Sequence, residues 1–176
     1  NALEHLDVWR GDTLFRVFLL DNTLQVDLAF WPSTEFGATG RTFRLLFGNA
    51  NERPHVPPPA ATDLVSWAWL YALHVRSSLA RGRVWQADYM LSKMRDQTLA
   101  LACLRHGVSA HEGRGIDDLP PEVTVSFAEI LPRSLEGAEL KRAFVAATNA
   151  LLREIEGEDA ALAKRLTVPL KELENF

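Results

Sequence analysis

Residues 14–30, LFRVFLLDNTLQVDLAF, decide the fold. The run 14–20 is apolar apart from Arg16. Residues 24–30 alternate with period two, so Leu24, Val26, Leu28 and Phe30 share one face and Gln25, Asp27 and Ala29 the other. Asp21, Asn22 and Thr23 between the runs supply turn chemistry. Two strands and a turn make an antiparallel β-hairpin. A three-residue loop sets Val17 opposite Asp27; a two-residue loop sets Arg16 there. A lone hairpin is marginal in water, so more sheet or a helical cover is expected.

Downstream, a connector from Trp31 to Ala61 contains Gly37, Gly40 and Gly48 and then Pro54, Pro57, Pro58 and Pro59. The patch Phe43–Phe47 reads as a short strand, and the prolines exclude helix interior. Beyond the prolines the period becomes helical. A helix capped by Thr62 or Asp63 runs to about Ala80, with Leu64, Trp67, Ala68, Tyr71, Val75 and Leu79 inward. A second spans Val84 to Arg105, with Ala87, Leu91, Met94, Thr98 and Leu101 inward, and Gly107 stops it. Pro121 opens a short helix carrying Val123, Phe127 and Ile130. Ser134 caps a longer one with Leu140, Phe144, Ala147, Leu151 and Ile155 inward, and a last helix lies near 158–166. The class is α+β: a hairpin over 1–50, a Pro-rich connector over 51–61, and a mainly α helical bundle over 62–176.

Composition sets limits on function. The 176 residues carry 19 basic and 23 acidic side chains, a net charge of −4, which argues against a generic nucleic-acid binder. The single cysteine, Cys103, excludes an internal disulfide framework and reads as a packed thiol. No apolar run approaches the roughly 18 residues of a membrane span. A cytoplasmic location is expected. Asn1-Ala2 in place of a methionine is compatible with the scar of a cleaved tag, and an engineered or processed fragment is expected.

Charge is uneven. Residues 61–110 hold six basic and three acidic side chains, and residues 111–176 hold eight and thirteen. A positive helical pair suits a phosphate-bearing ligand and an acidic end a cationic one; solvated helix faces give the same counts. Of the five tryptophans, at least one is expected at an exposed interface or cleft. The histidines, His5, His55, His74, His106 and His111, form no metal-binding frame, and no phosphate-gripping glycine loop or nucleophile elbow is present.

Asp27 is the most informative residue. A carboxylate in an apolar strand must reach solvent, a cation or a metal. It reads as a magnesium ligand or general base, or as an exposed strand aspartate or partner of Arg16.

The stretches RVFLLDNTLQVDLAF, FGATGRTFRLLFG, RSSLARGRVWQADYMLSKMRDQTLALACLRHG, GRGIDDLPPEV and LPRSLEGAELKRAF resemble bacterial nucleotidyltransferase-domain proteins of the aminoglycoside (kanamycin) type. The resemblance implies that the hairpin is what remains of the catalytic sheet, with Asp27 at the third metal carboxylate. It implies Mg2+ and a nucleoside triphosphate as cofactors and an unidentified hydroxyl acceptor as partner. Lys93 and Arg95 are then the candidates for phosphate contacts, and Asp88 or His74 for the acceptor-side base. The family's Gly-Ser turn and Asp-x-Asp pair, which precede the hairpin, are missing here, so this chain alone is expected to be inactive. No membrane and no extended nucleic acid are expected as partners; a homodimer is compatible.

Two other readings compete. Arg105 and His111 match the Arg-x-x-x-x-x-His spacing of a HEPN-type helical ribonuclease toxin. The bundle also suits a non-catalytic binding or dimerisation module.

Overall fold

The computed structural model describes residues 1–38, 43–53 and 57–175. It has a three-stranded antiparallel sheet followed by five α-helices, an α+β arrangement. Two compact units form, Asn1–Pro57 and Pro58–Phe176.

The first unit is a meander, β1 (Ala2–Arg10), β2 (Thr13–Leu20) and β3 (Gln25–Phe30), with β2 in the middle. The register sets Val17 opposite Asp27 and Arg16 opposite Leu28, so the three-residue loop is the one formed. In that loop the Leu20 N–H donates to the Leu24 carbonyl, and the Asn22 side chain accepts from the Leu24 N–H. Thr23 sits at φ 65°, the left-handed position such a loop requires.

β1 was not expected. Its faces read Glu4, Leu6, Val8, Arg10 and His5, Asp7, Trp9, so neither is cleanly apolar and the alternation is hidden. Pairing explains the charges. Arg16 reaches Asp7 opposite it, not Asp27, with two donors each 2.6 Å from a carboxylate oxygen. This bidentate contact holds the Asp7 carboxyl below its usual range. Gly11, at φ 60°, begins the two-residue β1–β2 loop.

The expected strand at Phe43–Phe47 does not form. Phe43 instead meets the Phe36 ring edge-on at 5.9 Å, and the nearby pairing is a single parallel bridge between Gly37 and Asn51. Part of the FGATGRTFRLLFG stretch (39–42), Pro54 and His55 lie outside the described residues.

The second unit is a helical bundle: α1 (Ala61–Ala80), α2 (Val84–Arg105), α3 (Pro121–Ala128), α4 (Gly137–Glu158) and α5 (Ala160–Glu172). All five expected α2 core residues are buried, as are Leu140, Phe144, Ala147, Leu151 and Ile155 of α4. Each large one contributes about 1.5–3 kcal/mol of transfer free energy. Ala68, Ala72 and Ala87 are fully buried and let α1 and α2 approach closely. The buried hydroxyls of Thr98 and Thr148 donate to the carbonyls four residues back, at 2.8 and 3.1 Å. Burial raises the pKa of the Cys103 thiol.

Several local expectations fail for identifiable reasons. α1 begins two to three residues earlier than expected, with Ala60 at the cap, so neither Thr62 nor Asp63 caps it. Its buried face is turned toward Val65, Ala72 and Ser78, leaving Trp67 exposed and stacked on Tyr71 at 5.8 Å. Small residues win the α1–α2 contact because indole rings would hold the helices apart. Ser134 accepts from the Glu136 N–H in a turn before α4, and Glu136 takes the cap position. α5 runs past 166 and through Pro169 to Glu172, capped by Asp159, whose side chain accepts from the Leu162 N–H at 2.9 Å. Gly107, at φ 70°, ends α2 as expected.

Candidate functional site

β3 is an edge strand, and every residue in it is exposed. Asp27 lies on the sheet face of Leu6, Val8, Phe15, Val17 and Leu19, beside Gln25 and Ala29. Its two carboxylate oxygens accept from Gln25 Nε2 at 2.8 and 2.9 Å. The Gln25 amide gives Asp27 hydrogen bonds but no charge compensation. A carboxylate on an exposed edge strand is available to a cation.

One carboxylate does not make a two-metal site. Among the described residues no three His, Cys, Asp or Glu side chains converge as metal ligands. The residues present therefore do not fit a bound magnesium ion by themselves.

The same face carries a cluster that sequence reasoning missed. The Arg10 guanidinium lies over the Phe15 ring at 5.6 Å, Phe15 meets Trp31 edge-on at 6.1 Å, and Arg53 stacks on Trp31 at 4.3 Å. The Arg53 side chain also crosses Gly37, where a Cβ would fall 2.7 Å from its Cγ. The signal was the glycine; the partners come from a distant loop, and no spacing rule reaches them.

The other candidates lie in the helical unit and do not form one cluster. His74 is exposed on α1. On α2, Asp88 and Arg95 are seven apart and share a half-buried stripe, where Arg95 donates to Asp96 at 3.2 Å. Lys93 is on a different face, with its ammonium 5.7 Å from the Tyr89 ring centre. Among the described residues no hydrogen bond or ion pair joins any two of these four. As for the ribonuclease pair, Arg105 is engaged by Glu154 at 3.0 Å, and His111 stands in a separate 3-10 turn, His111–Gly113.

No family model and no curated protein matches the chain. Among solved structures it is similar to an aminoglycoside 6-adenyltransferase from Bacillus subtilis, with a TM-score of 0.58 and 11% identity. The match covers 99% of this chain and 79% of that one. The chain has a nucleotidyltransferase-like fold. At that identity the likeness is one of fold, and the residues must carry any argument about chemistry. Among the described residues no helix is long and apolar enough to cross a membrane.

Proposed function

We propose that the chain is the carboxy-terminal portion of a nucleotidyltransferase, which transfers a nucleoside monophosphate from a nucleoside triphosphate to a hydroxyl acceptor. The observation that carries this is Asp27 on the exposed edge strand of the sheet. Leu6 is 62% exposed, Trp9 65% and Phe30 52%, so both faces and the β3 edge present surface that a complete sheet domain would cover. The nucleotidyltransferase-like fold and the motif position of Asp27 support the same reading.

In this account Asp27 contributes one carboxylate to a magnesium site whose other ligands come from the Gly-Ser and Asp-x-Asp element of a longer protein. Asp27 alone is one carboxylate, too few for a two-metal site, so transfer is expected only with those further ligands. Lys93 and Arg95 approach the phosphates, and Asp88 or His74 serves the acceptor side. The acceptor class is open; the acidic final third suits a cationic molecule such as the aminoglycosides named for the structural neighbour. The enzyme works in the cytoplasm.

The test is to express the reading frame with its upstream codons and measure magnesium-dependent pyrophosphate release from each nucleoside triphosphate over a panel of hydroxyl acceptors. The expected result is release with one acceptor class, abolished by Asp27→Asn. A reading frame that starts without a Gly-Ser and Asp-x-Asp element defeats the proposal.

A further inference from the structure

The end of the helical unit where α1 turns into α2 differs chemically from the rest of its surface. From Leu64 to Ala87 the chain has no carboxylate, and within that stretch stand His74, Arg76, Arg81 and Arg83. The three arginines are exposed, and among the described residues none makes a side-chain hydrogen bond, ion pair or ring contact. By contrast, Arg95, Arg105, Arg114, Arg142 and Lys171 are each engaged by a carboxylate. Arg153, Lys164 and Arg165, unengaged among the described residues, flank Glu154, Glu156, Glu158 and Asp159 in sequence.

The turn leaves those guanidinium groups free. Arg81 and Arg83 both donate their backbone N–H to the Ser78 carbonyl, and Gly82, at φ 66°, donates to Leu79. The backbone is thus satisfied within the turn, and the side chains have no structural task in it. Arg76 lies about 7.5 Å along the helix axis from Arg81, so the three cations occupy one end of the hairpin.

Aromatic rings continue from this end. Trp85 is 75% exposed in the first turn of α2, and Tyr89, one turn on, is 59% exposed. Lys93, another turn on, holds its ammonium against the Tyr89 ring. Positions 85, 89 and 93 follow one another at about 6 Å rise. Planar guanidinium forks suit phosphate oxygens, and exposed rings at that interval suit successive bases. An acidic polypeptide would use the cations and leave the rings idle.

We propose that the α1–α2 tip binds single-stranded nucleic acid, with Arg76, Arg81 and Arg83 on the phosphates and Trp85 and Tyr89 stacking on bases. The net charge of −4 averages this tip with the acidic final third and conceals it. The inference is independent of nucleotidyl transfer.

The test is fluorescence anisotropy of a labelled oligouridylate with the whole chain, at low and at physiological salt. The expected result is binding that weakens with salt, with a log–log slope of about −2 for three phosphates. Arg76→Gln/Arg81→Gln/Arg83→Gln should weaken it about tenfold or more, and Trp85→Ala about fivefold or more. Both variants should keep the wild-type circular dichroism and melting temperature, since the altered side chains touch little. Absence of binding at low salt overturns the proposal, as does binding indifferent to the triple substitution. Binding indifferent to Trp85→Ala and displaced equally well by polyglutamate also overturns it, in favour of an acidic polypeptide.

Discussion

Arg105 and Glu154 tie the end of α2 to α4, and the two halves of the pair should not be equally important. The Glu154 side chain is 7% exposed, while that of Arg105 is 33% exposed. Arg105 Nε donates to Oε2 of Glu154 at 3.0 Å, and Nη2 lies 3.0 Å from the same oxygen as an ion pair. In Arg105→Met, Glu154 remains buried with no cation, and stranding a buried charge costs about 3 kcal/mol. In Glu154→Gln the buried group is neutral and keeps an acceptor oxygen, and Arg105 can turn to water, so the loss is about 1 kcal/mol. Urea denaturation followed by helical circular dichroism at pH 7 measures both. The expected result is a lower midpoint for Arg105→Met than for Glu154→Gln, with unchanged slopes. A larger loss for Glu154→Gln would refute the reasoning, because the arginine would then be the group that cannot reach solvent.

Other consequences follow from single contacts. Glu139 accepts from the Arg142 guanidinium and from the Arg133 N–H, which together lower its pKa from 4.5 to about 2. Its folded pKa is depressed, so its contribution is present above pH 4.5 and disappears as the pH falls towards 2; Glu139→Gln should flatten that part of an acid-denaturation curve. Thr23 is a β-branched residue at φ 65°, and Thr23→Asn, which tolerates that region, should stabilise the sheet unit by about 0.5–1 kcal/mol in thermal melts. Phe144 is fully buried in α4, and Phe144→Ala should cost about 3–5 kcal/mol in urea.

The helical half of the molecule was legible where one face was uniformly apolar. On α2 the inward positions at 87, 91, 94, 98 and 101 all proved buried, while Trp85 of the same helix lies off that face and is exposed. On α1, Trp67 and Tyr71 fit the same period but yield to Val65 and Ala72, since packing against a close neighbour selects by volume as well as hydrophobicity. β1 was invisible because charges interrupt both its faces, and only the partner strand shows that Asp7 is matched by Arg16. The last helix runs beyond the 166 expected for it and through Pro169, with the Thr167 hydroxyl donating to the Ala163 carbonyl. The strand pattern singled out Asp27, whereas the Arg10–Phe15–Trp31–Arg53 cluster on the same face needs tertiary structure to be seen.

The proposed function puts the β3 carboxylate in an ion cradle finished by residues upstream of the hairpin. Manganese titration of the upstream-extended protein, followed by amide line broadening in NMR, tests it most directly. The account predicts early, selective broadening at Val26, Asp27 and Leu28 that Asp27→Asn removes. Broadening confined to the acidic final third, with β3 untouched, would contradict it.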